Sequence, residues 1–147
     1  MKRILPPTLF MICIGLMVLI GLLFPICIII NFPYNLIGIL VIVPGIAISA
    51  AGENLFKHSN TTVMTFDEPT CLVLHGLYRF SRNPMYLGFV LALLGLWIVF
   101  SSISSFLVII VFVILVDFFY IRFEEAALNK KFGKEYLEYT KRVRKWI

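Results

Sequence analysis

Two short polar stretches carry the side chains of this sequence that could do chemistry. The first, residues 75–88, combines cations with directional hydrogen-bonding groups: Arg79, Arg82, Asn83 and Tyr86. The second, residues 122–125, places a cation beside two acids: Arg122, Glu124 and Glu125. Guanidinium groups bind carboxylates and phosphates, whereas carboxylates accept hydrogen bonds from amino and hydroxyl groups. The two stretches together therefore suit a polar ligand of mixed charge, provided that the fold brings them together.

Each of these groups also has a purely structural interpretation. Arg79 and Arg82 could simply contact lipid phosphates, and Glu124 and Glu125 could be a solvated pair at a helix start. The binding interpretation gains from Pro84, because a helix that begins there would offer free N–H groups and a positive dipole end to an anion. Asp117, deep in an apolar segment, is either a functional group or the partner of an arginine.

S-Adenosylmethionine is one ligand that matches this set of side chains. Its carboxylate suits an arginine, its amino group and ribose hydroxyls suit a glutamate, and its adenine suits aromatic packing. A nucleotide or a phospholipid headgroup would match the same side chains. The residue types alone leave this choice open.

The rest of the chain consists mainly of apolar segments that must position these groups. Hydrophobic residues make up 61% of the 147 residues and charged residues 14%, against about 25% charged in an average soluble domain. Residues 4–52 carry no charge, and residues 83–121 carry only Asp117. Runs of this length exceed the roughly 20 residues that cross a bilayer. We therefore predict one all-α membrane domain, residues 1–147, with four spans at about 8–30, 36–51, 85–100 and 106–120.

The charges predict the orientation of this bundle. The turns at 31–35 and 101–105 are uncharged, whereas all 13 basic residues lie in the N-terminus, the loop 53–82 and the tail 122–147. The positive-inside rule then places both termini and that loop in the cytoplasm, so that the two polar stretches share one side. The net charge of +5 is explained by membrane topology and lipid contact, and no nucleic-acid partner is expected.

The tail is predicted to be a cytoplasmic amphipathic helix. An apolar stripe recurs at spacings of four and three residues: Leu128, Phe132, Tyr136, Tyr139 and Val143. Gly133 is expected to bend or break this helix. Glu125 falls near the middle of the stripe, where a carboxylate needs a partner, and Arg79, Arg82 and Arg122 are the candidates.

Small residues form a second pattern, within the predicted spans. They recur along one face of the second span and of the third: Gly38, Gly45, Ser49 and Gly52, then Gly88, Ala92 and Gly95. Such stripes let helices approach closely. They could serve packing within one chain or between chains, so the oligomeric state stays open. The spacing of His, Cys and acidic residues predicts no metal site.

Three stretches resemble the isoprenylcysteine carboxyl methyltransferase / phospholipid methyltransferase family of small membrane enzymes. They are residues 61–63, 72–73 and 76–80, then residues 82–88, and then residues 124–128, 132–136 and 139. The resemblance covers roughly residues 61–147. It implies a helical membrane enzyme that transfers a methyl group from S-adenosylmethionine to a lipophilic acceptor.

The resemblance also implies residue roles. It assigns the cofactor to residues before the third span and to a glutamate after the last: Leu72, Val73, Tyr78, Asn83, Pro84, Met85, Tyr86 and Glu124. It places an arginine near the acceptor, with Arg122 as the nearest candidate and Arg82 as a second. Arg79, Glu125 and Asp117 are further acceptor or structural candidates. Asn83 stands where the eukaryotic enzymes have histidine, so this position cannot titrate near neutral pH.

The alternative function is a small membrane protein without catalysis, such as a transporter subunit or a lipid-binding scaffold. Asp117 would then line a transport path. The expected partners of the enzyme are a lipophilic small molecule or lipid from the bilayer and the surrounding membrane lipids. The acceptor could be a carboxylate, an amine or a thiol. A carboxylate acceptor needs no base, since it is already ionised. A protonated amine needs a base to remove its proton before it can accept the methyl group.

Overall fold

The computed structural model describes residues 4–59 and 70–147, and their regular structure is helical. The helices are α1 (Pro6–Leu23), α2 (Ile37–His58), α3 (Pro84–Phe100), α4 (Ile103–Leu115), α5 (Arg122–Phe132) and α6 (Lys134–Arg142). A π-helical turn, Val116–Ile121, joins α4 to α5. Short 3-10 turns, Tyr34–Leu36 and Gly76–Arg79, precede α2 and α3. The predicted all-α membrane bundle is confirmed, whereas the motif at 61–63 and most of the turns predicted at 59–62 and 67–70 lie outside the described residues.

Three helical stretches in the described residues are long and apolar enough to cross a membrane. They are Pro6–Leu23, Tyr34–His58 and Ile103–Phe132. The fourth predicted span, α3, is apolar but has 17 residues. At 1.5 Å per residue it is roughly 25 Å long, somewhat less than a typical ~30 Å hydrocarbon core. It is also the helix with the most contacts to other helices, lying against α1, α2 and α4.

The first span differs from the prediction of a kinked helix over residues 8–30. The helix starts at Pro6, where the missing N–H costs nothing, and it ends at Leu23. Pro25 explains this end, because proline cannot continue the hydrogen-bond ladder and it disfavours helical geometry at Phe24, which has φ −135° and ψ 60°. The chain then runs beside the other uncharged turn, where the Ile29 N–H donates to the Ser101 carbonyl at 2.8 Å.

The bounds of α2, α3 and α4 are closer to the predicted spans than those of α1 are. The second helix continues to His58, as expected for residues 53–58, and the third begins at Pro84. The fourth helix begins at Ile103 rather than at residue 106, so the second half of the predicted serine turn is helical. The chain reverses direction between α3 and α4 within two residues. Ser101 takes a left-handed conformation (φ 54°) that ends α3, and the extended Ser102 precedes α4.

The two small-residue stripes meet each other within the chain. A Cβ placed on Gly88 would lie 2.5 Å from the Gly45 carbonyl oxygen and 2.6 Å from the Ser49 nitrogen. No side chain fits at such distances, so the backbones of α2 and α3 are in direct contact. Close approach of backbones is how helices associate in lipid, where burial of apolar surface provides little driving force. The stripes thus serve packing between α2 and α3.

The ends of the helices bring distant polar stretches to one side of the bundle. The Tyr120 hydroxyl donates to the Ile4 carbonyl at 2.9 Å, which joins the N-terminus to the end of the fourth span. At the opposite side, the Asn35 side-chain amide donates to the Val99 carbonyl at 2.8 Å and holds the two uncharged turns together. Residues 75–88 and residues 122–125 lie in contact on the first of these sides, where Tyr86 bonds to Glu124 and Arg82 pairs with Glu125.

The tail packs as its periodicity predicts. Its helix breaks at Gly133, which has φ +50° and separates α5 from α6. All members of the predicted apolar stripe lie in one cluster, which also contacts Leu72: Leu128, Phe132, Tyr136, Tyr139 and Val143. A larger cluster fills the bundle between α1, α3 and α4, with Met17, Leu93 and Phe112 fully buried.

The contact between α2 and α3 predicts a sharp effect of one added methyl group. Gly88→Ala should lower the stability of the detergent-solubilised protein by about 1–3 kcal/mol, because the backbones must separate to admit it. Gly15→Ala is the matched control: a Cβ there meets nothing within 4 Å, so the variant should unfold like the wild type. Thermal unfolding followed by circular dichroism measures both, and equal melting temperatures for the two variants would contradict the packing.

Candidate active site

A cavity of about 310 Å³ lies at the side of the bundle where the polar stretches meet. This volume falls at the lower end of the range of small-molecule sites. Its walls come from the start of α1, the end of α2, the segment before α3, the first turns of α3, and both tail helices. The lining includes Leu72, Val73, Tyr78, Arg82, Asn83, Met85, Tyr86, Glu124, Glu125, Tyr136 and Tyr139. Apolar groups from Pro6, Pro7, Phe56, Phe89 and Leu128 complete it.

Tyr86 and Glu124 connect α3 to α5 across the cavity. The Tyr86 hydroxyl donates to Glu124 Oε1 at 2.7 Å, a short distance typical of a hydrogen bond to a carboxylate. Tyr86 is buried, with 6% of its surface exposed, since its ring belongs to the main core cluster. A rigid core residue thus fixes the position of a carboxylate in the cavity.

Arg82 and Glu125 form a second pair in the cavity wall. Arg82 Nη1 lies 3.1 Å from Glu125 Oε1 and donates to the Tyr136 hydroxyl at 3.5 Å. The ion pair confirms that a carboxylate on the apolar side of the tail helix needs a cation, as expected for Glu125. Arg82 Nε is nevertheless buried without a hydrogen-bond partner among the described residues. Buried polar atoms of this kind are costly, so the pair retains capacity to bind a polar ligand.

Three buried tyrosines surround this pair and stay protonated. Burial, and then the Glu125 carboxylate, raise the pKa of Tyr136 from 10.0 to about 12, against an opposing effect of Arg82. Burial raises the pKa of Tyr139, and burial together with the Glu124 carboxylate raises the pKa of Tyr78. At neutral pH these phenols are uncharged hydrogen-bonding groups, and none of them is a base.

The segment that precedes α3 is held by the tail. The Asn83 amide nitrogen donates to the Lys145 carbonyl at 2.9 Å, and the Tyr139 hydroxyl donates to the Tyr78 carbonyl at 2.7 Å. Pro84 is buried behind the cavity and is absent from its lining, so its part is to start α3. The residues from Tyr78 to Tyr86 are therefore fixed both by α3 and by α6.

Besides Pro84, three predicted residues lie away from the cavity lining. Arg122 is about half exposed, with Nε 3.5 Å from Asp117 Oδ2 and its guanidinium over the Phe118 ring. Asp117 also pairs with Lys145. Arg79 lines a separate groove at the end of α2, beside His58. A role of Arg122 at the acceptor stays a prediction, because the structure does not bring its side chain to the cavity.

Several lining residues were not predicted as site residues. Tyr136 and Tyr139 were assigned only to the apolar stripe, although their hydroxyl groups on a packed face were a signal for buried hydrogen bonding. Glu53 was assigned to the helix end, and it pairs with Lys57 at 2.6 Å. Within the described residues, no group of three or more His, Cys, Asp or Glu side chains could hold a metal ion.

The fold and the cavity together define a helical membrane protein with a mixed-charge pocket at one end of its bundle. The family model of phospholipid methyltransferases matches residues 34–135 of this chain. The chain therefore belongs to the phospholipid methyltransferase family. The match spans the helices from α2 to α5 and thus most of the cavity wall.

Individual relatives agree with this family. The chain is similar to a protein-S-isoprenylcysteine O-methyltransferase A of Arabidopsis thaliana, with 34% identity over 116 residues, 77% of this chain and 56% of that protein. It is similar to a protein-S-isoprenylcysteine O-methyltransferase of Saccharomyces cerevisiae, with 37% identity over 74% of this chain and 46% of that protein. The chain thus spans about half the length of these two relatives.

A bacterial relative covers a shorter region. An uncharacterized protein of Haemophilus influenzae is 36% identical over 63 residues, 43% of this chain and all of that protein. No solved structure matches the chain. The family assignment therefore depends on sequence, and the geometry of the site depends on the structure described above.

The raised pKa of Tyr136 predicts how stability depends on pH. The folded state holds this proton more tightly than the unfolded state, so the resulting stabilisation is complete below about pH 10 and is lost as the pH rises towards 12. Melting temperatures in detergent should fall between pH 10 and pH 12, and less steeply for Tyr136→Phe. Tyr34→Phe, which alters a tyrosine that is 71% exposed, should keep the wild-type slope. Identical slopes for Tyr136→Phe and the wild type would contradict the burial of this phenol.

Proposed function

We propose that this protein transfers the methyl group of S-adenosylmethionine to a lipophilic acceptor at the cytoplasmic face of the membrane. The observation that carries the proposal is the cavity in which the Tyr86–Glu124 bond and the Arg82–Glu125 pair meet apolar walls. Membership of a methyltransferase family supports it, as do relatives named as isoprenylcysteine O-methyltransferases. The proposal names a methyl donor and a class of acceptor for this chain.

The chemistry of the cavity fits S-adenosylmethionine. Glu124, Glu125 and Arg82 give the inner wall two carboxylates and one guanidinium, while the Glu53 carboxylate is paired with Lys57. A wall that carries both carboxylates and a guanidinium suits a ligand with a sulfonium, an ammonium and one carboxylate. The buried Arg82 Nε, which lacks a hydrogen-bond partner in the described part of the chain, is available to such a ligand.

The residue roles follow from these charges. Arg82 would bind the carboxylate of the donor, and Glu124, held by Tyr86, would bind its amino group or ribose hydroxyls. The apolar walls at Leu72 and Val73 would enclose its base. The proposed donor site comprises Leu72, Val73, Tyr78, Asn83, Pro84, Met85, Tyr86 and Glu124, with Pro84 acting through the backbone.

When bound, S-adenosylmethionine supplies an activated methyl group on its sulfonium. The protein then contributes position and exclusion of water: tail helices cover the cavity, and buried phenols line it without adding charge. The acceptor would enter from the bilayer beside the apolar start of α1 and Phe89. A carboxylate acceptor needs no base, whereas a protonated amine would have to lose its proton to one of the cavity carboxylates.

The cytoplasmic location is supported by the distribution of charge. All 13 basic residues lie in the N-terminus, the middle loop or the tail. Those that the structure describes lie at the end of α2, before α3 or in the tail, and these elements form the cavity wall. Basic residues beside membrane spans are retained in the cytoplasm. A water-soluble donor would therefore reach the cavity from the cytoplasm.

The alternative, a transporter subunit or lipid scaffold without catalysis, has no observation in its favour. It would use Asp117 to line a path through the membrane. Asp117 instead contacts Lys145 and Arg122 and does not line the cavity. A paired carboxylate at the edge of a bundle is explained by those two cations.

Binding of S-adenosylhomocysteine, the demethylated product, tests the proposal. Calorimetric titration of the detergent-purified protein should show one saturable site. Glu124→Gln and Tyr86→Phe should each weaken this binding about tenfold or more, because a hydrogen bond to a charged group contributes about 1.5–3 kcal/mol. Glu138→Gln is the matched control, since Glu138 pairs with Lys141 on the exposed face of α6, and should bind like the wild type.

Two results would contradict the proposal or its residue roles. A folded wild type that binds no S-adenosylhomocysteine, alone or with added membrane lipid extract, would refute the donor. Lipid is included because the acceptor could have to bind first. Unchanged affinity in both the Glu124→Gln and the Tyr86→Phe variants would refute the site assignment while leaving the donor in place. Incorporation of labelled methyl into lipid extract would then identify the acceptor class.

A further inference from the structure

The last five residues, Val143–Ile147, form an extended strap across the segment that precedes α3. The helix α6 ends at Arg142, and Val143 has the extended angles φ −120° and ψ 129°. The Arg82 N–H donates to the Arg144 carbonyl at 3.1 Å, and the Asn83 side chain donates to the Lys145 carbonyl at 2.9 Å. Two successive carbonyls of the strap therefore bind two successive residues of the cavity wall.

Three side chains attach the strap to the rest of the molecule. Val143 is buried in the tail cluster, and Trp146 packs against the main core. Between them, Lys145 forms an ion pair with Asp117 of the π-helical turn. Both partners are about one quarter exposed, at 27% and 24%, so the pair is only partly screened by solvent. The Lys145 side chain is thus held at the point where its own carbonyl binds Asn83.

The presence of a carboxylate at position 117 is explained neither by apolar packing nor by the cavity, which Asp117 does not line. It is the one charged residue between positions 83 and 121, and a carboxylate in an apolar segment is costly unless it has a function or a partner. The π-helical turn, in which the Arg122 N–H bonds to the Asp117 carbonyl, is a helix irregularity frequent at functional sites. The Asp117 side chain contacts Lys145 of the strap and does not line the cavity.

We propose that Asp117 is a positioning residue: through Lys145 it holds the strap, and the strap holds Asn83 and Arg82 in the geometry that binds the methyl donor. The inference rests on the proposed function for the identity of that ligand. Without the ion pair the strap loses its only charged anchor among the described residues, and the Asn83 amide and the Arg82 backbone lose fixed acceptors. Asp117 then affects a ligand that it does not touch.

Amide hydrogen exchange tests the positioning without any ligand. Asp117→Asn and Lys145→Gln both remove the ion pair and keep the strap backbone. Each should increase exchange in peptides that span residues 79–83, because the Arg82 N–H loses protection when the strap detaches. Asp117→Glu, which keeps the charge, should retain most of the protection. Glu138→Gln, which removes an exposed ion pair of α6, should exchange like the wild type.

Affinity for S-adenosylhomocysteine tests the consequence at the site. Both variants should bind about five- to tenfold more weakly at temperatures well below their melting temperatures. The weakening caused by Asp117→Asn should be smaller when Asn83→Ala is already present. In that background the Asn83 amide, which the ion pair positions through the strap, is missing. Equal weakening in both backgrounds would show independent action and would overturn the inference.

The outcomes separate this inference from the proposed function. A wild type that binds no S-adenosylhomocysteine refutes the proposed donor, and the exchange experiment still decides whether the strap is held by Asp117. Binding by the wild type together with unchanged affinity and unchanged exchange in both ion-pair variants would overturn the inference and leave the proposed function standing. If Asp117→Asn fails to fold, Lys145→Gln carries the same test from the end of the chain.

Discussion

Direct contact between the backbones of α2 and α3 is the constraint on which the rest of the structure depends. Gly45 and Gly88 leave no room for a side chain, so the two helices have one possible separation. About two turns further along α2, Gly52 lies against Met85 at the start of α3. Phe56, a further turn on, lies against Tyr78 with ring centroids 5.1 Å apart. The position of the cavity wall is therefore set by a contact that begins in the apolar part of the bundle.

The parts of this molecule that sequence could predict are those governed by periodicity and by the cost of unpaired charge. The small-residue stripes predicted close helix packing, and they meet each other. The apolar stripe of the tail predicted its packed face, and Gly133 its break. The position of Glu125 on that face required a cation, which Arg82 provides. Each of these inferences needed only local spacing and one general rule.

The features that the sequence did not predict depend on backbone conformation or on contacts between residues far apart in the chain. The effect of Pro25 was predicted as a kink, but α1 ends before it. The chain after α1 then bonds to the turn at residues 101–102, a partner that the sequence does not show. The π-helical turn adds a residue before Arg122, so a count of residues cannot tell which way that side chain points. The strap has no periodicity, and its backbone carbonyls bind residues about 60 positions away.

The two adjacent glutamates of α5 contribute differently to the cavity because different side chains contact them. Arg82 compensates the charge of Glu125, so this pair forms a nearly neutral part of the wall that can still bind a polar group. Tyr86 positions Glu124 with a neutral hydroxyl and adds no positive charge to it. In the proposed function, the amino group or ribose hydroxyls of the donor would bind Glu124, and its carboxylate would bind the Arg82 guanidinium, which pairs with the neighbouring Glu125. A carboxylate and a guanidinium at different positions of the wall would fix the direction in which such a donor binds.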